Sequence, residues 1–120
     1  MQIRSSGSVK IISLNTDDIL RRLKESAHLL KQKNHEVKDV YLFGSIATGK
    51  AVPGSDADVM IVLRKSDKSI VDRVTDFMDS FCDAGIGVDI FPYTEEEVDE
   101  FVKNKSLFFR EVLAHRIKLT

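Results

Sequence analysis

The hydrophobic positions of this chain alternate between two periods, one helical and one extended. After residue 14 the sequence Asn15-Thr16-Asp17-Asp18 offers a helix cap followed by early acidic residues, which suit the positive end of a helix. Ile19, Leu20, Leu23, Ala27 and Leu30 then recur at helical spacing, and Asn34 closes the segment. The opposite face carries Arg21, Arg22, Lys24 and Lys31, and reads as a solvated face rather than a polyanion site. Residues 40–43 (VYLF) form an apolar run short enough for a buried strand. Gly44-Ser45 breaks that run, a short helix or loop follows, and Pro53-Gly54 signals a turn. Residues 59–63 (VMIVL) form a second, β-branched run of strand character.

Further on, Ser66-Asp67-Lys68-Ser69 caps a second helix whose expected apolar stripe is Ile70, Val71, Val74, Phe77, Met78 and Phe81. Cys82 continues that stripe and is expected to be a small core residue. Gly85 and Gly87 end the helix and open a short strand over residues 87–91. Thr94, with Glu97 three residues later, makes a capping box for a helix whose apolar side is Val98, Phe101 and Val102, so its glutamates read as structural. Ser106 caps a last helix, and Leu107, Phe108 and Phe109 are expected to finish the core together with Phe101. The first 14 residues carry the weakest pattern. Ser5-Ser6-Gly7-Ser8 is flexible in composition, and residues 9–14 fit either an added strand or a segment tucked against the body.

A chain of 120 residues with 42% hydrophobic positions suits a single domain, residues 1–120, with one core. Its formal net charge of −1 argues against a nucleic-acid polymer as the main partner, because such domains usually carry a basic excess. The single cysteine excludes an intrachain disulfide and fits a reducing, cytoplasmic setting. No apolar run approaches the roughly 18 residues of a membrane span, and the first residues lack a signal-peptide core.

The chemistry gathers between residues 44 and 89. Asp56 and Asp58 stand at the entrance to the second strand, and residues two apart on a strand project from one face. Like charges held this close repel unless a cation sits between them, and hard divalent ions such as Mg2+ take oxygen ligands of this kind. Eleven positions before Asp56, Gly44 permits close backbone approach to a ligand, and the amides after it, with the Ser45 hydroxyl, form a phosphate cradle. Asp89 interrupts the third strand, where a carboxylate needs a partner.

Gly44-Ser45, Gly49, Ser55-Asp56 and Asp58, with the apolar run after them, resemble the Gly-Ser…Asp-x-Asp signature of the nucleotidyltransferase superfamily that includes DNA polymerase beta. The likeness is to the minimal nucleotidyltransferases and spans about residues 40–91. The resemblance implies an α/β (α+β) polymerase-beta-like fold, a mixed central sheet with helices packed on it. It implies two Mg2+ ions held by Asp56, Asp58 and Asp89, with Asp89 also deprotonating an acceptor hydroxyl. Gly44, Ser45, Lys50 and Ser55 are then the nucleotide-binding residues, and ATP is the implied donor of AMP. Many relatives place basic residues soon after the Gly-Ser pair. Here Ile46, Ala47 and Thr48 stand there, with Lys50 the nearest substitute. Minimal nucleotidyltransferases often act with small helical HEPN-type partners, in some cases as antitoxins, so either such a partner or a homodimer is expected. The alternative is a binding module that neutralises or scaffolds a helical partner without chemistry.

Overall fold

A computed structural model describes residues 15–104 and 106–120, together with the backbone of two short strands, β1 (Arg4–Ser5) and β2 (Ser8–Val9), which pair antiparallel. Of the segment 9–14, only Val9 falls within a described strand; residues 10–14 lie outside the described residues. The body comprises α1 (Thr16–Lys33), β3 (Val37–Phe43), α2 (Ser45–Thr48), β4 (Ala57–Leu63), α3 (Ile70–Phe77), β5 (Val88–Thr94), α4 (Glu95–Lys103), α5 (Leu107–His115) and β6 (Ile117–Lys118). Four of these strands form a mixed sheet in the order β5-β4-β3-β6, in which only the β4–β5 pair is parallel. The expected mixed sheet with helices on it is therefore present.

Strand alternation sorts the sheet into two faces. Ala57, Val59, Ile61 and Leu63 of β4 join Val40 and Leu42 of β3 and the Ile19, Leu23, Ala27 and Leu30 stripe of α1 in one core. The intervening residues, Met60 and Val62 with Phe43, meet Phe109 and Val112 of α5 in a second core on the other face, with Tyr41, Phe91, Tyr93 and Phe101 packed around it. Burial on both faces is why residues 59–63 read as an unbroken apolar run instead of alternating. The second core is aromatic, with Phe101 and Phe109 stacked at 4.4 Å and Tyr93 edge-on to both.

The helix caps fall where the sequence places them, at Asn15, Ser69, Thr94 and Ser106, and the Thr94–Glu97 capping box is complete. The helix after Ser69 is shorter than the apolar spacing suggests. It stops at Phe77, and tight i→i−3 backbone bonds at Ser80, Cys82 and Ala84 carry the chain onward. The inward face differs from the expected stripe: Phe77 and Phe81 are buried, whereas Ile70, Val71 and Met78 are exposed, and Cys82, after the change of pitch, is exposed rather than in the core. The place on α3 that faces inward is taken by Arg73, 5% exposed.

Two further expectations are corrected. Leu107 and Phe108 do not finish the core: α5 turns Phe109 and Val112 inward and leaves Leu107 70% and Phe108 51% exposed. The third strand also extends past Phe91 to Thr94, through Pro92. It can do so because β5 is an edge strand, where a missing N–H costs no ladder bond. Strand β6 carries no sequence signal of its own. It pairs with Tyr41 and Leu42 and is held by the Leu119 N–H bond to Val40 and by Arg116 over the Tyr41 ring.

Candidate active site

Register decides the site. β3, β4 and β5 align so that Phe43, Asp58 and Asp89 form one row across three strands. Neighbouring strands lie about 4.8 Å apart, so the two carboxylates of that row leave adjacent backbones side by side. Asp58 shares its face with Met60 and Val62, and the row therefore opens toward α5 rather than α1. Asp56 lies just before β4, where the Ala57 N–H already bonds the Gly87 carbonyl at 2.8 Å and ties the strand entrance to the start of β5.

Two glycines make room for the carboxylates. A Cβ on Gly44 would collide with Asp58 Oδ2, and Gly44 has φ 79°, a conformation that side chains other than glycine's disfavour. A Cβ on Gly87 would likewise collide with Asp56 Oδ1. The Gly44-Ser45 turn is thus in direct contact with the carboxylate row. Gly87 belongs to the site as well, although in the sequence it reads only as a helix terminator. Its signal there is its position two residues before Asp89.

The electrostatics are those of an unfinished site. Burial pushes the Asp58 carboxyl above its ordinary value, and the charges of Asp89 and Asp56 push it the same way. Among the described residues, no ion pair reaches Asp56, Asp58 or Asp89. Nor does any trio of carboxylate, histidine or cysteine side chains among them enclose a point that could hold a metal ion. An all-protein cage is not what Mg2+ requires. It usually takes one or two carboxylates and completes its octahedron with water and substrate phosphates. The uncompensated pair fits such an open site.

The remaining expected ligands are placed less decisively. Ser45 starts α2, a helix of four residues and hence of little dipole, so what the turn offers is backbone N–H groups at a glycine bend. Lys50 is exposed beyond α2, and its N–H bonds the Ser45 carbonyl at 2.9 Å. Ser55 closes the turn around Pro53-Gly54, its Oγ accepting from the Val52 N–H at 3.1 Å. Gly54, with φ 93°, supplies the left-handed position that such a turn needs after proline.

A cavity of about 240 Å³ opens beside the row, bounded by Gly44, Thr48 and Asp58 below and by Phe108, Glu111 and His115 of α5 above. None of those three α5 residues is legible as a site residue in the sequence. A larger cavity, about 390 Å³, lies at the other end of β4 beside Leu63. Its Lys68 and Arg73 are paired, with Asp76 and Glu97, and its lining mixes both signs of charge, whereas the Asp58 end gathers carboxylates alone.

Known proteins share this fold. A crystal structure of a candidate nucleotidyltransferase from Sulfolobus solfataricus superposes with a TM-score of 0.58 at 21% identity, covering 86% of this chain and 80% of that one, which shows a shared fold. A second structure, of a toxin–antitoxin with AMP-PNP, aligns at a TM-score of 0.48 and 19% identity over 89% of this chain and 73% of that one. No curated protein matches the sequence significantly. The nucleotidyltransferase domain family matches residues 23–115, from α1 through the last residue of α5. That span is most of the chain and contains the whole carboxylate row, and so this protein belongs to the nucleotidyltransferase domain family.

Proposed function

We propose that the protein transfers a nucleoside monophosphate from a nucleoside triphosphate, AMP from ATP, to an acceptor hydroxyl. The observation that carries this reading is the row of Asp58 and Asp89, joined by Asp56, with no cationic partner among the described residues and with the Gly44-Ser45 turn packed against it. Asp56 and Asp58 would hold Mg2+, two ions with Asp89 sharing one as the family resemblance implies. Bound there, Mg2+ offsets the carboxylate repulsion and stabilises charge on the phosphoryl oxygens.

The chain's own groups then divide the work. The backbone N–H groups at Gly44 and Ser45, with the Ser45 hydroxyl, hold the β- and γ-phosphates, and Lys50 offers the nearest positive charge on this loop. Asp89 accepts the acceptor's hydroxyl proton. The new bond joins the acceptor oxygen to the α-phosphorus, the bond to the β-phosphate oxygen breaks, and pyrophosphate leaves. Asp89 returns its proton to solvent.

The acceptor is carried by a second subunit, a further copy of this chain or a small helical HEPN-type protein toward which it acts as an antitoxin. Exposed Val102 and Leu107 on α4 and α5 give that subunit an apolar foothold. The lone cysteine suits a cytoplasmic setting.

Thermal unfolding with and without Mg2+ and ATP, in wild type and in Asp56→Asn/Asp58→Asn, tests the reading. A ligand at 100 times its dissociation constant adds about 2.7 kcal/mol, or several degrees in a domain of this size. The wild type should show that shift only with Mg2+ and ATP together, and the double variant should show none. If the wild type does not respond, the catalytic reading fails and a binding module takes its place.

A further inference from the structure

We infer that the cavity under α5 is the nucleobase subsite, with Phe108 as the stacking platform and Glu111 as the group that selects a base bearing an exocyclic amine. The inference rests on the nucleotidyltransferase reading and adds to it the element that recognises the base. It starts from the helix itself. Phe108, Glu111, Val112 and His115 lie at i, i+3, i+4 and i+7 of α5, one face, and all four line the cavity that contains Asp58 and Gly44. A nucleoside attached to a phosphate beside Asp58 has this cavity next to it.

The lining fits a flat, neutral occupant. Phe43 and Phe108 stand edge to face at 6.0 Å, so the two rings do not cover each other. Phe108 is 51% exposed, although Phe109 beside it is buried in the aromatic core. A large apolar ring kept half in solvent at a cavity mouth is available for stacking, and every base presents a π-face. Among the described residues no lysine or arginine lines the cavity, whereas Asp58 and Glu111 do. Beside Glu111, phosphate is therefore a poor occupant. A carboxylate at the rim instead accepts a hydrogen bond from an exocyclic amino group, the pairing seen where acidic side chains read the amino group of cytosine. His115, one turn beyond Glu111, supplies a ring nitrogen for a second contact on the base edge. By this logic adenine is favoured over hypoxanthine, which carries an oxo group where adenine carries its amine.

Titration calorimetry in Mg2+ buffer with ATP, inosine triphosphate and inorganic tripolyphosphate tests the assignment. Wild type should bind all three, with ATP several-fold tighter than inosine triphosphate. Phe108→Ala should weaken ATP by about tenfold or more, the scale of a lost base–aromatic stack, and leave tripolyphosphate within about twofold. Glu111→Leu should erase the preference for ATP over inosine triphosphate. Both residues are exposed, so both variants should fold, and their unfolding temperatures check it. If Phe108→Ala leaves ATP affinity unchanged, or weakens ATP and tripolyphosphate alike, the base lies elsewhere and the subsite is overturned while the nucleotidyltransferase reading stands. If wild type shows no ATP preference, the role of Glu111 is overturned. If wild type binds neither ATP nor tripolyphosphate, both readings fall together.

Discussion

The two ends of the parallel β4–β5 pair treat charge in opposite ways. At one end, Arg73 is inserted from α3 and nearly every polar atom near it is answered. Its guanidinium grips Glu97 through two bonds of 2.6 and 3.1 Å, donates to the Pro92 carbonyl at 3.2 Å, and reaches the Lys68 carbonyl at 3.0 Å. Glu97 in turn accepts from the Thr94 N–H in its capping box. At the other end, five residues back along each strand from the Leu63–Thr94 pair, Asp58 faces Asp89 with Asp56 nearby, and among the described residues no ion pair answers them. Both ends cost desolvation. Only the first is repaid by ion pairs among the described residues, and that difference separates a structural ion pair from a candidate binding site.

The sharpest way to break this comparison is to remove the satisfied charge. Arg73→Met keeps an unbranched apolar stem but removes the guanidinium from Glu97 and from two backbone carbonyls. Breaking a buried pair from one side costs about 3–5 kcal/mol, and the partial exposure of Glu97 places this case near about 3 kcal/mol. Chemical denaturation should show that loss, whereas ATP affinity measured on the folded protein should be unchanged. A stability loss under about 1 kcal/mol would mean that Arg73 does not organise this end.

A smaller effect, confined to the other end, is expected from Gly87→Ala. The added methyl meets the tip of the exposed Asp56 side chain, which can swing away, so stability should change by no more than about 0.5 kcal/mol. The displaced carboxylate should nonetheless lower transferase activity by roughly 10–100-fold, the scale on which misplaced catalytic groups act. Full activity in Gly87→Ala would remove Asp56 from the site.

Acid should act on the two ends with opposite sign, and more gently. The Arg73 guanidinium beside Glu97 holds its carboxyl below the ordinary value of 4.5, with the Thr94 N–H helping. That contribution to stability is fully present above pH 4.5 and is lost as pH falls through the depressed folded value. Asp58 is raised above its ordinary 3.8, so in metal-free protein the folded state takes up its proton first, and acidification through that raised value relieves strain. Stability against pH should therefore lose its acid-side drop in Glu97→Gln and its opposing rise in Asp58→Asn. Indistinguishable pH curves for all three proteins would show that neither carboxyl is coupled to folding.

Much of this was legible in one dimension because it depends on local chemistry. Caps at Asn15, Ser69, Thr94 and Ser106 need only a side chain and the next three amides. The spacing of Asp56, Asp58 and the Gly44-Ser45 turn suggests a phosphate and metal site, although the expectation that one strand holds both carboxylates is corrected: β4 begins at Ala57, and Asp56 stands just before it. The resemblance carried by those residues reached the correct family.

What failed to read depends on which neighbour a side chain meets. The apolar spacing after Ser69 predicted an inward Cys82 and outward polar groups. Tertiary packing turned α3 so that Arg73 faces inward, where it meets Glu97 and the carbonyl of Pro92 on an edge strand. Leu107 and Phe108 are as hydrophobic as Phe109, and only the seating of α5 on the aromatic core chose which of them to bury. β6 has no propensity signal, since its order comes from the free edge of β3. The sequence by itself determined the caps, the strand runs and the identity of the three carboxylates. Tertiary structure alone decided that Asp89 stands opposite Asp58, that Gly87 makes room for Asp56, and that a face of α5 closes over the row. Registers between strands are set by packing on both faces of the sheet, and no single stretch of the chain contains that information.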